Sequence, residues 1–269
     1  MRALLVLSLV IFSWSPVWAG SEQAERLAKA MRMVEVIHIL RDEGLAQNQE
    51  LDDALLAGAG GSHFRAQIED IYDPVWMYAQ VTSALEEDMT DAQLEQASLF
   101  FESDLGQTIV SLENSARLAI SDEAIEDMAR LAYREADREA GFFRLIDEYV
   151  ALNDLIDRNV QSQLSADYKF FRGLADGQGV AADDSDILAE ILAQSAETEE
   201  HTREWLYAFL LMAYRPLSEA QLRETIAFSR TEAGRALNTA LFNGLHEMFG
   251  ELSYQLGQTA ARVLSASDL

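Results

Sequence analysis

Two stretches of the chain repeat each other in register, without a gap. Thr90–Gly106 reads TDAQLEQASLFFESDLG and Ser218–Gly234 reads SEAQLRETIAFSRTEAG. Ala, Gln, Leu, Phe and Gly recur at matched positions, and Thr/Ser and Asp/Glu replace each other conservatively. Upstream, Trp76-Met77-Tyr78-Ala79 mirrors Trp205-Leu206-Tyr207-Ala208, one residue out of register. An internal repeat constrains architecture more than a single motif does, because each copy has the same faces to bury. Two copies imply a duplicated module and not a solenoid.

Each part of the repeat has a mechanical meaning. Thr90 and Ser218 stand where a helix N-cap belongs, and Gln93 and Gln221 are placed to reach back to them. Leu94, Phe100 and Phe101 fall on or near one helix face, as do Leu222, Ile226 and Phe228. Ser103 and Thr231 then cap a second helix, and Asp104 or Glu232 follows at the positive end of its dipole. Gly106 and Gly234 lie in that helix's first turn, where a missing Cβ admits a close neighbour such as Phe100 or Phe228. The motif therefore reads as a structural corner: helix, cap, helix.

The rest of the chain is written in the same idiom. Three Pro and 14 Gly among 269 residues are too few breakers for a fold of short strands. No segment sustains two-residue alternation with turn chemistry. The expected fold is all-α: two related helical-bundle modules, residues 20–140 and 141–269, packed together with no β-sheet. Arg134–Gly141 (READREAG) is charged but helix-compatible, so it offers no flexible linker. Expected helices include one from a Ser21 cap to Arg41 with Gly44 as its stop, one begun by Asp73-Pro74, one capped by Ser121, and a long one over Phe142–Leu174. A loop is expected over Gly177–Asp186, with Ser185 or Asp186 capping the helix after it.

Residues 1–19 read as a secretory signal. Arg2 supplies the positive start, Leu4–Phe12 the apolar stretch, and Val17-Trp18-Ala19 a loose small-x-small site with cleavage after Ala19. The apolar stretch is short for roughly 30 Å of hydrocarbon. The later run Trp205–Tyr214 suits a core helix, so no stable membrane span is expected once the signal is removed. The periplasm is the expected location. A formal charge of −26 disfavours nucleic acid and anionic membrane surfaces. The absence of Cys excludes disulfides and thiol chemistry.

Phe100, Phe101, Ser103 and Gly106, preceded by a Ser/Thr-acid-x-x-Leu helix start, resemble the bacterial exported family known as domain of unknown function 2059. Phe228, Thr231 and Gly234 resemble it more loosely, with Ser229 in the second aromatic slot. Asp104-Leu105 and Glu232-Ala233 fill the region where the family often carries Pro. The resemblance implies an all-helical periplasmic protein and brings no catalytic residue with it.

Other chemistry is sparse. Gly58–Ser62 (GAGGS) lacks the later Gly and the Lys of a phosphate loop. Neither a Gly-x-Ser-x-Gly elbow nor a His-Glu-x-x-His motif occurs. Glu35-x-x-His38 has the spacing of a carboxylate-bridged metal bundle, but no second Glu-x-x-His supports it. Glu197 and His201 lie in an acid-rich segment, and Asp183-Asp184-Ser185-Asp186 lacks the spacing of a calcium loop. No cofactor, metal or catalytic residue is expected.

The leading expectation is a non-enzymatic interaction or accessory protein of the cell envelope. Trp76, Tyr78, Trp205 and Tyr207, with Phe100 and Phe228, are candidates to line a groove between the modules. The bland alternative is that they fill two cores. The partner would be an envelope protein or an apolar ligand. Two further readings are a carrier of a small apolar ligand or lipid, for which Met31, Met33 and Met212 suit an adaptable cavity, and an uncharacterised hydrolase.

Overall fold

Capping side chains set most of the helix starts. In the computed structural model, Asp73 precedes Pro74 and accepts a hydrogen bond from the Val75 amide at 2.9 Å. Thr90 and Ser218 both close full capping boxes. The structure describes residues 22–56, 58, 60–180 and 183–267. The segment read as a signal and the Ser21 cap lie outside the described residues.

The helices, in order, are α1 (Glu22–Ala30), α2 (Met33–Leu55), α3 (Gly61–Ile71), α4 (Pro74–Asp88), α5 (Asp91–Glu102), α6 (Asp104–Ile120), α7 (Glu123–Arg134), α8 (Gly141–Leu152), α9 (Leu155–Gln178), α10 (Asp184–Ala193), α11 (Ser195–Tyr214), α12 (Glu219–Ser229) and α13 (Glu232–Ser267). Among the described residues there is no strand, and the fold is all-α. No helix among them is long and apolar enough to cross a membrane.

Three details depart from the sequence reading. The first helix breaks at Arg32, which takes a left-handed conformation with φ 52°. The chain then restarts as α2 and runs through Gly44, because the Tyr72 ring lies against Gly44: an added Cβ would sit 2.2 Å from Tyr72 Cε1. The segment expected to run unbroken from Phe142 breaks at Asp154, φ 54°, and then continues to Gln178, where Gly179 ends it in the left-handed region. Finally, Asp122 caps α7 in place of Ser121, whose hydroxyl donates back to the Leu118 carbonyl. Asp183 likewise caps α10 in place of Ser185 or Asp186.

Arg32 and Asp154 are the only non-glycine residues with positive φ among the described residues. Long-range hydrogen bonds tie down both breaks. Gln107 donates to the Ala30 carbonyl at 2.7 Å, and Asn238 donates to the Asn153 carbonyl at 3.0 Å. Left-handed strain in ordinary residues persists where such contacts over-determine it.

The helices from α1 to α6 and from α8 to α13 follow one order. Each set has a short helix, a left-handed break, a long helix, a return helix, a central helix, a capped helix and an exit helix. Their contacts match as well. The first helix packs on the capped helix in both sets (α1 on α5, α8 on α12), and the long helix on the central one (α2 on α4, α9 on α11). The exit helices cross over: α6 lies against α11, and α13 lies against α4.

The two main apolar clusters are therefore drawn from both sides of residue 140. One gathers Leu27, Met77, Val81, Leu85 and Leu94 with Leu237, Met248 and Leu252 from α13. The other gathers Leu105 and Ile109 from α6 with Ile146, Leu206, Tyr214 and Leu222. Each fully buried leucine of this kind contributes about 1.5–3 kcal/mol. Beyond the second cluster, α7 lies on α11 through Ala129 and Ala208, joined by Ile120 at the end of α6. The 36-residue α13 runs alongside α9 at close range, since an added Cβ would meet Tyr254 O at 2.1 Å from Gly173 and Phe170 O at 2.1 Å from Gly257.

Candidate functional site

The two corners are nearly the same object. At the first, Ser103 Oγ donates to the Phe100 carbonyl at 2.6 Å and accepts from the Gly106 amide at 3.1 Å. At the second, Thr231 Oγ1 donates to the Phe228 carbonyl at 2.7 Å and accepts from the Gly234 amide at 3.0 Å. A Cβ on either glycine would lie 2.2 Å from the carbonyl oxygen of Phe100 or Phe228, so the exit helix rests directly on backbone.

The corners meet. Phe100 and Phe228, matched residues of the repeat, stack with ring centroids 4.0 Å apart and planes 3° from parallel. Phe101 stands edge-on to both. Its counterpart, Ser229, is small and buried, and its hydroxyl donates to the Thr225 carbonyl at 3.3 Å.

Beside this stack lies a cavity of about 240 Å³. Matched residues from both halves line it: Phe100 and Phe228, Phe101 and Ser229, Ile109 and Leu237, Val110 and Asn238, Glu113 and Leu241. Met31 and Met33 from the first break and Asn153 from the second complete the opposing walls. The lining is mainly apolar, with a few convergent polar groups, which is the usual make-up of a small-molecule site.

Most of those polar groups are committed to the scaffold. Thr225 donates to the Gln221 carbonyl at 3.0 Å, Asn153 to the Tyr149 carbonyl at 2.9 Å, and Asn114 to Glu35 at 3.3 Å. Glu113 differs. It is half-buried because it borders the cavity, and Tyr214 donates to its Oε1. Among the described residues it takes part in no ion pair. The one cation of its helix, Arg117, is bound to Glu43 at 2.7 Å and lies over the Trp205 ring. Burial pushes the Glu113 carboxyl above its usual range, partly opposed by the Tyr214 bond. Burial and the adjacent carboxyl push the Tyr214 and Tyr149 hydroxyls up as well.

Of the four residues expected to line a groove, none meets its counterpart. Trp76 and Tyr78 pack against the first cluster, while Trp205 and Tyr207 pack with the second. Tyr207 clusters with Tyr133 and Phe143, and Trp205 stacks on Phe209. Tyr78 donates to Glu25 at 2.8 Å, and Tyr207 makes the same bond to Asp147. Burial, reinforced by that bond, pushes Tyr78 up to about 12 and raises Tyr207 in the same way. A second matched contact is reversed in polarity. Arg26 pairs with Glu102 at 2.6 Å in one half, while Glu148 pairs with Arg230 in the other.

His38 and Glu35 are both exposed, and Glu35 pairs with Arg32. Glu197 and His201 are exposed too. No group of three or more potential metal-ligating side chains occurs among the described residues.

With this geometry in view, the comparison with protein families falls on the first half. Residues 77–134 match the family described as "Uncharacterized protein conserved in bacteria (DUF2059)". The matched segment runs from the body of α4 through α7, and includes the first corner and Glu113. Phe100, Phe101, Ser103 and Gly106 all lie within it. No curated protein and no solved structure matches the chain.

Sequence reasoning missed Glu113, Tyr214 and the two breaks. A usable signal existed for Glu113. It interrupts the apolar stripe Leu105, Ile109, Ala116 on its helix, and the repeat aligns it with Leu241.

Proposed function

We propose that this chain is an exported, non-enzymatic helical protein of the bacterial envelope, built from two copies of one ancestral unit, which holds a small, mainly apolar ligand where the copies meet. The single observation carrying the ligand reading is the cavity beside the Phe100–Phe228 stack, walled by matched residues of both halves. The duplication is supported by the matching capping boxes, corners, left-handed breaks and Tyr–carboxylate bonds. The exit helices cross between copies, so the unit boundary near residue 140 describes ancestry while each core is shared. Export rests on residues 1–19. A binding role fits the cavity's polar groups, most of which hold scaffold backbone in place.

The test is native mass spectrometry of the mature protein purified from its native envelope, together with titration of an apolar fluorescent probe. One ligand per chain, displaced by the probe, is expected. Ser229→Phe restores the aromatic found in the first copy and should block the probe. An empty protein that binds no probe overturns the reading.

A specific observation favours the interaction role alongside it. Ile125, Met128 and Leu131 stand exposed on α7, at 37%, 70% and 49% of their full areas. A partner that docks there should be lost on Met128→Lys, with no effect on the cavity.

A further inference from the structure

The repeat supplies its own control for the cavity wall. Where α6 carries Glu113, the matched position of α13 is Leu241. Where α11 carries Tyr214, the matched position of α4 is Leu85. Leu85 and Leu241 both belong to the first apolar cluster, so this layer of the fold is satisfied by two leucines. A hydrogen-bonded Tyr–Glu pair at the same place is not required for packing. Burying a carboxyl is costly unless it is paired.

Its geometry is unfinished on one side. Tyr214 occupies Oε1, and Oε2 has no partner among the described residues. The residue borders the cavity. Arg117, the only cation on α6, is engaged with Glu43. Oε2 is not among the buried atoms left without a partner, so it is accessible to a cation or a strong donor arriving from the cavity. The net charge of −26 also concentrates small cations around the protein.

Resting on the cavity reading above, we infer that the ligand is a small apolar molecule bearing one protonated amine, its apolar part against Phe100, Phe228 and Leu237 and its ammonium on Glu113 Oε2. A charge-assisted hydrogen bond is the strongest orienting contact this mainly apolar wall can supply.

The test compares 2-phenylethylamine with its neutral isostere 2-phenylethanol by isothermal titration calorimetry on the mature protein. The amine is expected to bind at least about tenfold tighter than the alcohol. In Glu113→Gln that preference should vanish, while alcohol affinity stays within about twofold. Leu237→Trp, which fills the cavity, should abolish both. Equal affinity of the two compounds for the native protein overturns the inference and leaves the cavity reading intact. Failure of both to bind overturns the inference and the cavity reading together. Should Glu113→Gln not fold, the amine-to-alcohol ratio of the native protein decides the matter alone.

Discussion

One of the two shared cores carries Leu85 and Leu241 beneath the crossing exit helix; the other carries Tyr214 and Glu113 there. Everything that bends the chain at these places is kept in both halves: the capping boxes, the hydroxyl at the corner, the glycine on backbone and the phenylalanine that stacks on its counterpart. Three of the matched positions that differ line the cavity. Phe101 is opposed by Ser229, Val110 by Asn238, and Glu113 by Leu241. The difference teaches that the shared residues carry the architecture, while the divergent ones are free to set the chemistry of the cavity wall.

The most severe way to break the comparison is at the glycines. Gly106→Ala and Gly234→Ala each force a Cβ to within 2.2 Å of a backbone oxygen that no rotamer change can move. Each should cost about 3 kcal/mol by urea unfolding, and the two losses should agree closely. One site tolerating alanine would separate the corners.

Glu113→Gln sharpens the contrast through pH. Its carboxyl titrates above the ordinary value in the folded protein because it is buried. The folded state therefore holds that proton more tightly than the unfolded chain does. The stability it contributes is full below the ordinary carboxylate value and is lost as pH rises through the folded one. Glutamine removes this loss and still accepts from Tyr214. The variant should match the native protein near pH 4 and be the more stable of the two at pH 8. Unfolding at both pH values checks this, and a parallel offset at the two would remove burial as its cause.

Thr90→Ala and Ser218→Ala each delete one capping box and should cost about 1 kcal/mol in thermal or urea unfolding. Because the boxes share their hydrogen bonds, unequal costs would point to unequal packing behind α5 and α12.

The smallest effect belongs to the reversed ion pair. Arg26→Glu alone should lower the melting temperature slightly, and adding Glu102→Arg should restore part of it, since Glu148 and Arg230 already use that polarity in the other half while Glu95 also pairs with Arg26. The pair is exposed, so raised salt should shrink both changes.

Much of this was legible in the sequence because capping is local. Asp73-Pro74, Thr90-x-x-Gln93, Ser103 and Ser218-x-x-Gln221 bond within three residues, and the structure places helix starts there. The breaks at Arg32 and Asp154 were not legible. Neither residue favours a left-handed backbone enough to announce it, and the contacts holding them come from Gln107 and Asn238, far along the chain. Gly44 misled for a related reason: it reads as a helix stop, but it serves to admit the Tyr72 ring. The cavity was hidden because its walls depend on α6 and α13 crossing between halves. Hydrophobic spacing says which face a helix buries and not which neighbour receives it.

The most direct measurement is a crystal structure of the protein soaked with 2-phenylethylamine. The account predicts the aromatic ring beside the Phe100–Phe228 stack and the amine nitrogen within hydrogen-bond reach of Glu113. A cavity that stays empty while the two rings remain stacked would contradict it.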